Sequence, residues 1–81
     1  MDAAASFGVV LRKLRKAAGL TQEELALEAG LRRTYVSMLE LGHQQPSLTT
    51  ILKLAAALGR SAGEIVGAVE AELGRARRRR S

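Results

Sequence analysis

Catalytic chemistry has little to work with in this sequence. Cysteine is absent, His43 is the one histidine and Asp2 the one aspartate. Thiol catalysis, zinc fingers, disulfide frameworks, a Ser-His-Asp set and a facial metal triad are therefore excluded. His43 has no second plausible ligand at a metal-binding spacing, so no metal, cofactor or small-molecule ligand is expected, and no enzyme activity. What the sequence does offer is Arg32, Arg33, Thr34, Ser37 and Met38 within a short stretch. At helical spacing Arg33, Thr34, Ser37 and Met38 fall opposite Val36 and Leu39, with Arg32 at the start of the helix. A guanidinium can bond O6 and N7 of guanine together, and Thr or Met can meet a thymine methyl or a phosphate.

The elements that must position these residues are constrained by size. A chain of 81 residues makes one small domain, burying only about 60% of the surface it exposes when unfolded. Hydrophobic residues make up 47%, yet Phe7 and Tyr35 are the only aromatics. A core of Leu, Ala, Val and Ile suits a small helical bundle. No apolar run approaches the ~18 residues of a membrane span, and the opening MDAAAS lacks the features of a secretory signal. A soluble, cytoplasmic chain working at the nucleoid, with no membrane partner, is expected. The net charge of +5 is carried by Arg75, Arg77, Arg78, Arg79 and Arg80. The body before them is neutral, so any basic face within it must come from segregated charge.

Gly19, Gly30, Gly42 and Gly59 each follow a helical run, where a left-handed residue is wanted. Thr21 with Glu24, and Ser61 with Glu64, are capping boxes, and Ser47 after Pro46 is an N-cap. The pattern predicts five helices at about 6–18, 22–29, 32–41, 48–58 and 62–74, with Asp2 in a frayed terminus. Their apolar stripes are Phe7, Val10, Leu11, Leu14 and Ala18; Leu25 and Ala29; Val36 and Leu39; and Leu48, Ile51, Leu52, Ala55 and Leu58. In the fifth, Ile65, Val66, Val69 and Leu73 recur at near-heptad spacing although Gly63 and Gly67 weaken the helix. Ile65 and Val66 can cap the core, which leaves Val69 and Leu73 for a two-fold partner, with Leu58 nearby. Residues 1–74 are thus read as one domain whose fifth helix dimerises, and 75–81 as a disordered basic tail.

The segment TQEELALEAGLRRTYVSMLEL satisfies the steric rules of a helix-turn-helix. Ala26 is small where the two helices cross, Gly30 occupies the turn, and Val36 points inward. Leu25, Leu31 and Leu39 fill the remaining buried places. From Phe7 to about Ser61 the chain resembles the Xre family, the lambda repressor and Cro type of DNA-binding domain. It is also similar to the controller proteins of restriction-modification systems. The resemblance implies an all-α bundle of four or five helices, here five, that binds double-stranded DNA as a homodimer. The third helix would enter the major groove.

By that resemblance Gln22 touches a phosphate and braces the third helix, and Arg32, Arg33, Thr34, Ser37 and Met38 face the DNA. His43, Gln44 and Gln45 sit in a loop that approaches the backbone. Arg15 and Glu40 match a buried ion pair joining the first and third helices; two separate surface charges are the alternative. Several side chains keep two readings. Tyr35 is a phosphate contact or a prop between helices, Met38 a base contact or core filler, and His43 a phosphate contact or a solvated loop residue. The arginine tail adds phosphate contacts without base specificity, or is a solvated passenger. Two features depart from the pattern: Arg32 cannot accept the amide bonds of a helix start, and His43–Gln44–Gln45 lacks the usual basic loop.

The function expected is a sequence-specific transcription regulator acting on a palindromic operator, with no ligand-sensing or cleavable domain. The alternatives are an antitoxin or accessory subunit with a partner protein on an apolar patch including Leu41 and Leu48, or a protein-bridging coactivator-like module.

Overall fold

The computed structural model describes residues 2–80, and of Arg79 and Arg80 the backbone alone. Five helices follow in order: α1 Ala3–Ala17, α2 Gln22–Ala29, α3 Arg33–Glu40, α4 Leu48–Leu58 and α5 Ala62–Arg80. No strand occurs among the described residues. Local chemistry sets most of the boundaries. Both capping boxes form, with Thr21 and Glu24 exchanging bonds of 2.8 and 3.0 Å and Ser61 and Glu64 two of 3.0 Å. These backbone bonds hold the Glu24 and Glu64 carboxyls below the ordinary carboxylate range. Ser47 accepts from the Thr50 amide at 3.1 Å and starts α4. The four glycines expected to stop helices all have positive φ, between 67° and 76°.

Both ends of the chain depart from expectation. Asp2 is not frayed: its carboxylate accepts from the Ala5 amide at 2.8 Å, so α1 begins at Ala3 rather than Ser6. The fifth helix does not stop near Gly74 but continues to Arg80, so residues read as a disordered tail are helical. Arginine is a good helix former, and positive charge complements the C-terminal dipole. Glu72 and Arg75 add an ion pair at 3.4 Å one turn apart. Ser81, the last residue of the expected tail, lies outside the described residues.

The core is aliphatic, with Leu11, Leu25, Val36, Leu39, Leu54 and Ile65 fully buried. Several assignments change. Leu48 and Leu52 are 70% and 54% exposed, and Leu54 takes the inward place on α4. The apolar arc of that helix is wider than its buried face, so periodicity alone does not single out the part that turns inward. Ile65 lies wholly in the core, in keeping with a capping role, whereas Val66 is 44% exposed and does not cap it. Leu58 is also buried, and Ala18 is exposed.

Two features lock α3 against α1. A Cβ on Gly8 would stand 2.5 Å from the Glu40 carbonyl oxygen and 2.6 Å from that of Leu39, so only glycine permits this approach. Farther along, Arg15 Nε donates to Glu40 Oε2 at 2.6 Å and Nη2 to Oε1 at 3.1 Å. Arg15 Nη1 also donates to the Leu20 carbonyl at 2.9 Å. The two side chains are 11% and 4% exposed, so this is the buried pair and not two surface charges. The hydrogen bond to Glu40 raises the Arg15 pKa further, against the opposing effect of burial.

Glu40→Ala should lower the unfolding free energy in urea by about 3–5 kcal/mol, because it strands a buried guanidinium. Lys13→Ala removes a 62% exposed partner of Glu72 and should cost less than about 1 kcal/mol. Equal losses would mean that packing, not the pair, anchors α3. Gly8→Ala should cost about 1–3 kcal/mol by forcing the two backbones apart; an unchanged denaturation midpoint would contradict that close approach.

Candidate nucleic-acid interface

Helices α2 and α3 meet at Gly30, whose φ of 69° turns the chain. The Leu31 amide then closes the turn on the Ala26 carbonyl at 2.8 Å. Ala26 is buried at the crossing, and Val36 and Leu39 fix the inner face of α3. The opposite face is open. Arg33 and Thr34 are exposed, Ser37 is half-buried and Met38 is 37% exposed. Arg32 stands at the N-cap of α3 and makes no capping bond, as its lack of an acceptor requires. Helix α3 therefore starts one residue later than expected.

Gln22 joins this arrangement from α2. Its amide donates to Glu40 Oε1 at 3.0 Å, so the first residue of α2 is tied to the last residue of α3. Arg15, Thr21, Gln22, Glu23 and Arg33 line one open groove where α2 begins beside the first turn of α3. In the sequence Thr21 reads only as a helix cap, and Glu23 carries no signal of its own. Their place follows from the capping box, which carries the start of α2 to the same edge as Arg33.

The remaining expected contacts divide. Tyr35 is half-buried against the core, and its hydroxyl lies 3.4 Å from Thr50 Oγ1. That contact bridges α3 and α4. Gln44 Nε2 lies 3.7 Å from Met38 Sδ, which places the loop beside the end of the outer face. His43 is exposed, and its amide bonds the Met38 carbonyl at 3.0 Å. Gln45 is separated from this group and borders an apolar hollow with Ala3, Phe7, Pro46, Ile51, Val66 and Val69. Of the α5 stripe, Val66 and Val69 thus line this hollow, Leu73 is half-buried elsewhere on the helix, and Ile65 lies in the core.

A helix-turn-helix family profile matches residues 11–65. An uncharacterized HTH-type transcriptional regulator of Sinorhizobium fredii, y4dJ, is 41% identical over 66 residues, covering 82% of this chain and 86% of its own. The control protein C.MunI from a Mycoplasma species is 40% identical, covering 82% of this chain and 90% of its own. The crystal structure of the restriction-modification controller C.AhdI from Aeromonas hydrophila superimposes with a TM-score of 0.75 at 48% identity, over 76% of this chain and 94% of that one. These similarities rest on the same segment whose crossing, turn and outer face are described above. The chain belongs to the Xre-type helix-turn-helix family of DNA-binding transcription regulators.

Proposed function

We propose that the chain regulates transcription as a homodimer on a palindromic operator, each copy laying α3 in the major groove of one half-site. One observation carries the reading: Arg33, Thr34 and Ser37 share a face that is open while Val36, Leu39 and Glu40 fix the helix behind it. On this reading Arg33 and Thr34 touch base edges, and Gln22 holds the helix while standing close to phosphate. Arg32, His43 and Gln44 flank them as backbone contacts. The similarity to control proteins supports a controller role of the same kind, exercised in the cytoplasm at the nucleoid.

The dimer surface is best sought around the apolar hollow. Val66 and Val69 on α5 face Ile51 and Pro46 there, and Leu48 and Leu52 extend the same side of α4 into solvent. Burying a Val or Leu side chain is worth about 1.5–3 kcal/mol, so pairing two such faces provides a driving force. An isologous contact could set the two α3 helices about 34 Å apart, as successive major grooves require.

Arg33→Ala should weaken binding to a duplex selected from a random pool by about 1–3 kcal/mol and relax preference at one position per half-site. A uniform loss across all sequences would make Arg33 a phosphate contact instead. Val66→Glu and Leu52→Glu alter exposed positions and should leave the melting temperature nearly unchanged. Each should yield monomers in sedimentation and much weaker binding to a full operator. If both variants remain dimers, the partner surface lies elsewhere, with exposed Leu41 the next place to test.

A further inference from the structure

Helices α1 and α5 lie side by side and run in the same direction. The apolar hollow pairs Phe7 with Val66 and Val69, while a second hollow pairs Lys13 and Leu14 with Ala71, Glu72 and Arg75. Their starting ends carry acids, Asp2 and Glu64, both engaged in capping. Their finishing ends carry Arg12, Lys13 and Lys16 on α1 and Arg75 onward on α5. The pair of helices is thereby polarised from end to end, with the net charge of +5 at its finishing end.

The positive end is continuous with the face of α3. At about 100° per residue, Lys13 and Arg15 project to nearly opposite sides of α1. Lys13 reaches Glu72 on α5 at 3.5 Å, and Arg15 reaches Glu40 and the groove shared with Gln22 and Arg33. The same rotation puts Arg12 and Lys16 in the solvent arc between them, and Leu14 on the core side. Arg12 and Lys16 are exposed and hold no side-chain partner among the described residues. Two carboxylates lie along this path, Glu72 beneath Lys13 and Arg75, and Glu23 in the groove. Glu70, two residues before Glu72, projects to the opposite side of α5.

We infer that Arg12 and Lys16, with Lys13 and Arg75 beyond them, form a track for the phosphate backbone of DNA outside the half-site. The inference rests on the DNA-binding reading above and extends it to the flanks. Direction follows from the fold. The apolar hollow proposed for the second copy lies at the starting ends of α1 and α5, and the track at their finishing ends. The track therefore points away from the two-fold axis, toward the outer DNA. Evenly spaced phosphates suit a row of lysine and arginine without base contacts.

The test uses the full chain and a duplex selected by it from a random-sequence pool, prepared trimmed to the protected core and with ~10 bp added at each end. Wild type should bind the longer duplex on the order of tenfold more tightly at moderate salt. Arg12→Gln/Lys16→Gln should lose that gain and flatten the log–log salt slope by about two on the longer duplex, while matching wild type on the trimmed one. Arg60→Gln removes a charge at the opposite end and should keep the gain. The inference is overturned if flanks add nothing for wild type, if the double variant profits from them equally, or if Arg60→Gln abolishes the gain as well. Failure of wild type to bind any duplex would instead overturn the DNA-binding reading itself.

Discussion

The carboxylate of Glu40 is where three helices meet. It accepts two bonds from Arg15 on α1 and one from Gln22 on α2, and it terminates α3. Helix α3 has eight residues and no side-chain cap at its start, too short to persist alone in water. Val36 and Leu39 bury one side of it, but two apolar contacts leave rotation and tilt loosely specified. A bidentate guanidinium fixes both. Buried pairs of this kind contribute less to net stability than their geometry suggests, because desolvation offsets most of the attraction. Here the return is orientation: the side of α3 bearing Arg33 and Thr34 is held at a defined angle to the start of α2.

Much of this was legible in the sequence because it is locally encoded. Capping boxes and left-handed glycines act within a few residues, so α2 and α4 have the bounds read from punctuation alone. The crossing at Ala26 and the turn at Gly30 are equally local. What escaped depends on partners distant in sequence. Gly8 looks like an ordinary helix glycine until the carbonyls of Leu39 and Glu40 are set against it. Glu72 reads as a surface acid, yet it is buried between Lys13 and Arg75. On α4, an apolar arc wider than the buried face hides which part turns inward, so Leu54 was missed and Leu48 and Leu52 were placed in the core. Tyr35 and Met38 have both apolar bodies and polar or polarisable atoms, and only the neighbours Thr50 and Gln44 assign them a setting.

Charge shows the same division between count and placement. The body of the chain has as many acids as bases, so composition assigns it no electrostatic character. Laying α1 and α5 in parallel gives the whole domain one, because α1 ends in basic residues of the body and α5 in the arginines that follow it. The helix dipole favours that distribution within each helix, and parallel packing adds the two together. The polarity of the domain thus follows from topology acting on two individually well-capped helices.

Helix α5 is not one mechanical object. Its first turns are riveted to the core through Ile65, and its middle is held by Glu72 through ion pairs to partly exposed bases. Past Arg75, Ala76 supplies the only remaining apolar side chain before the arginines. Gly63, Gly67 and Gly74 each cost about 1 kcal/mol of helix propensity relative to alanine, so the helix cannot rely on its own backbone. Opening free energies must therefore fall along its length, from near the global value at Ile65 to almost nothing in the final turn. Amide exchange would register this as a continuous gradient of protection within a single helix, with the ionic joint at Glu72 marking where salt, rather than denaturant, governs release.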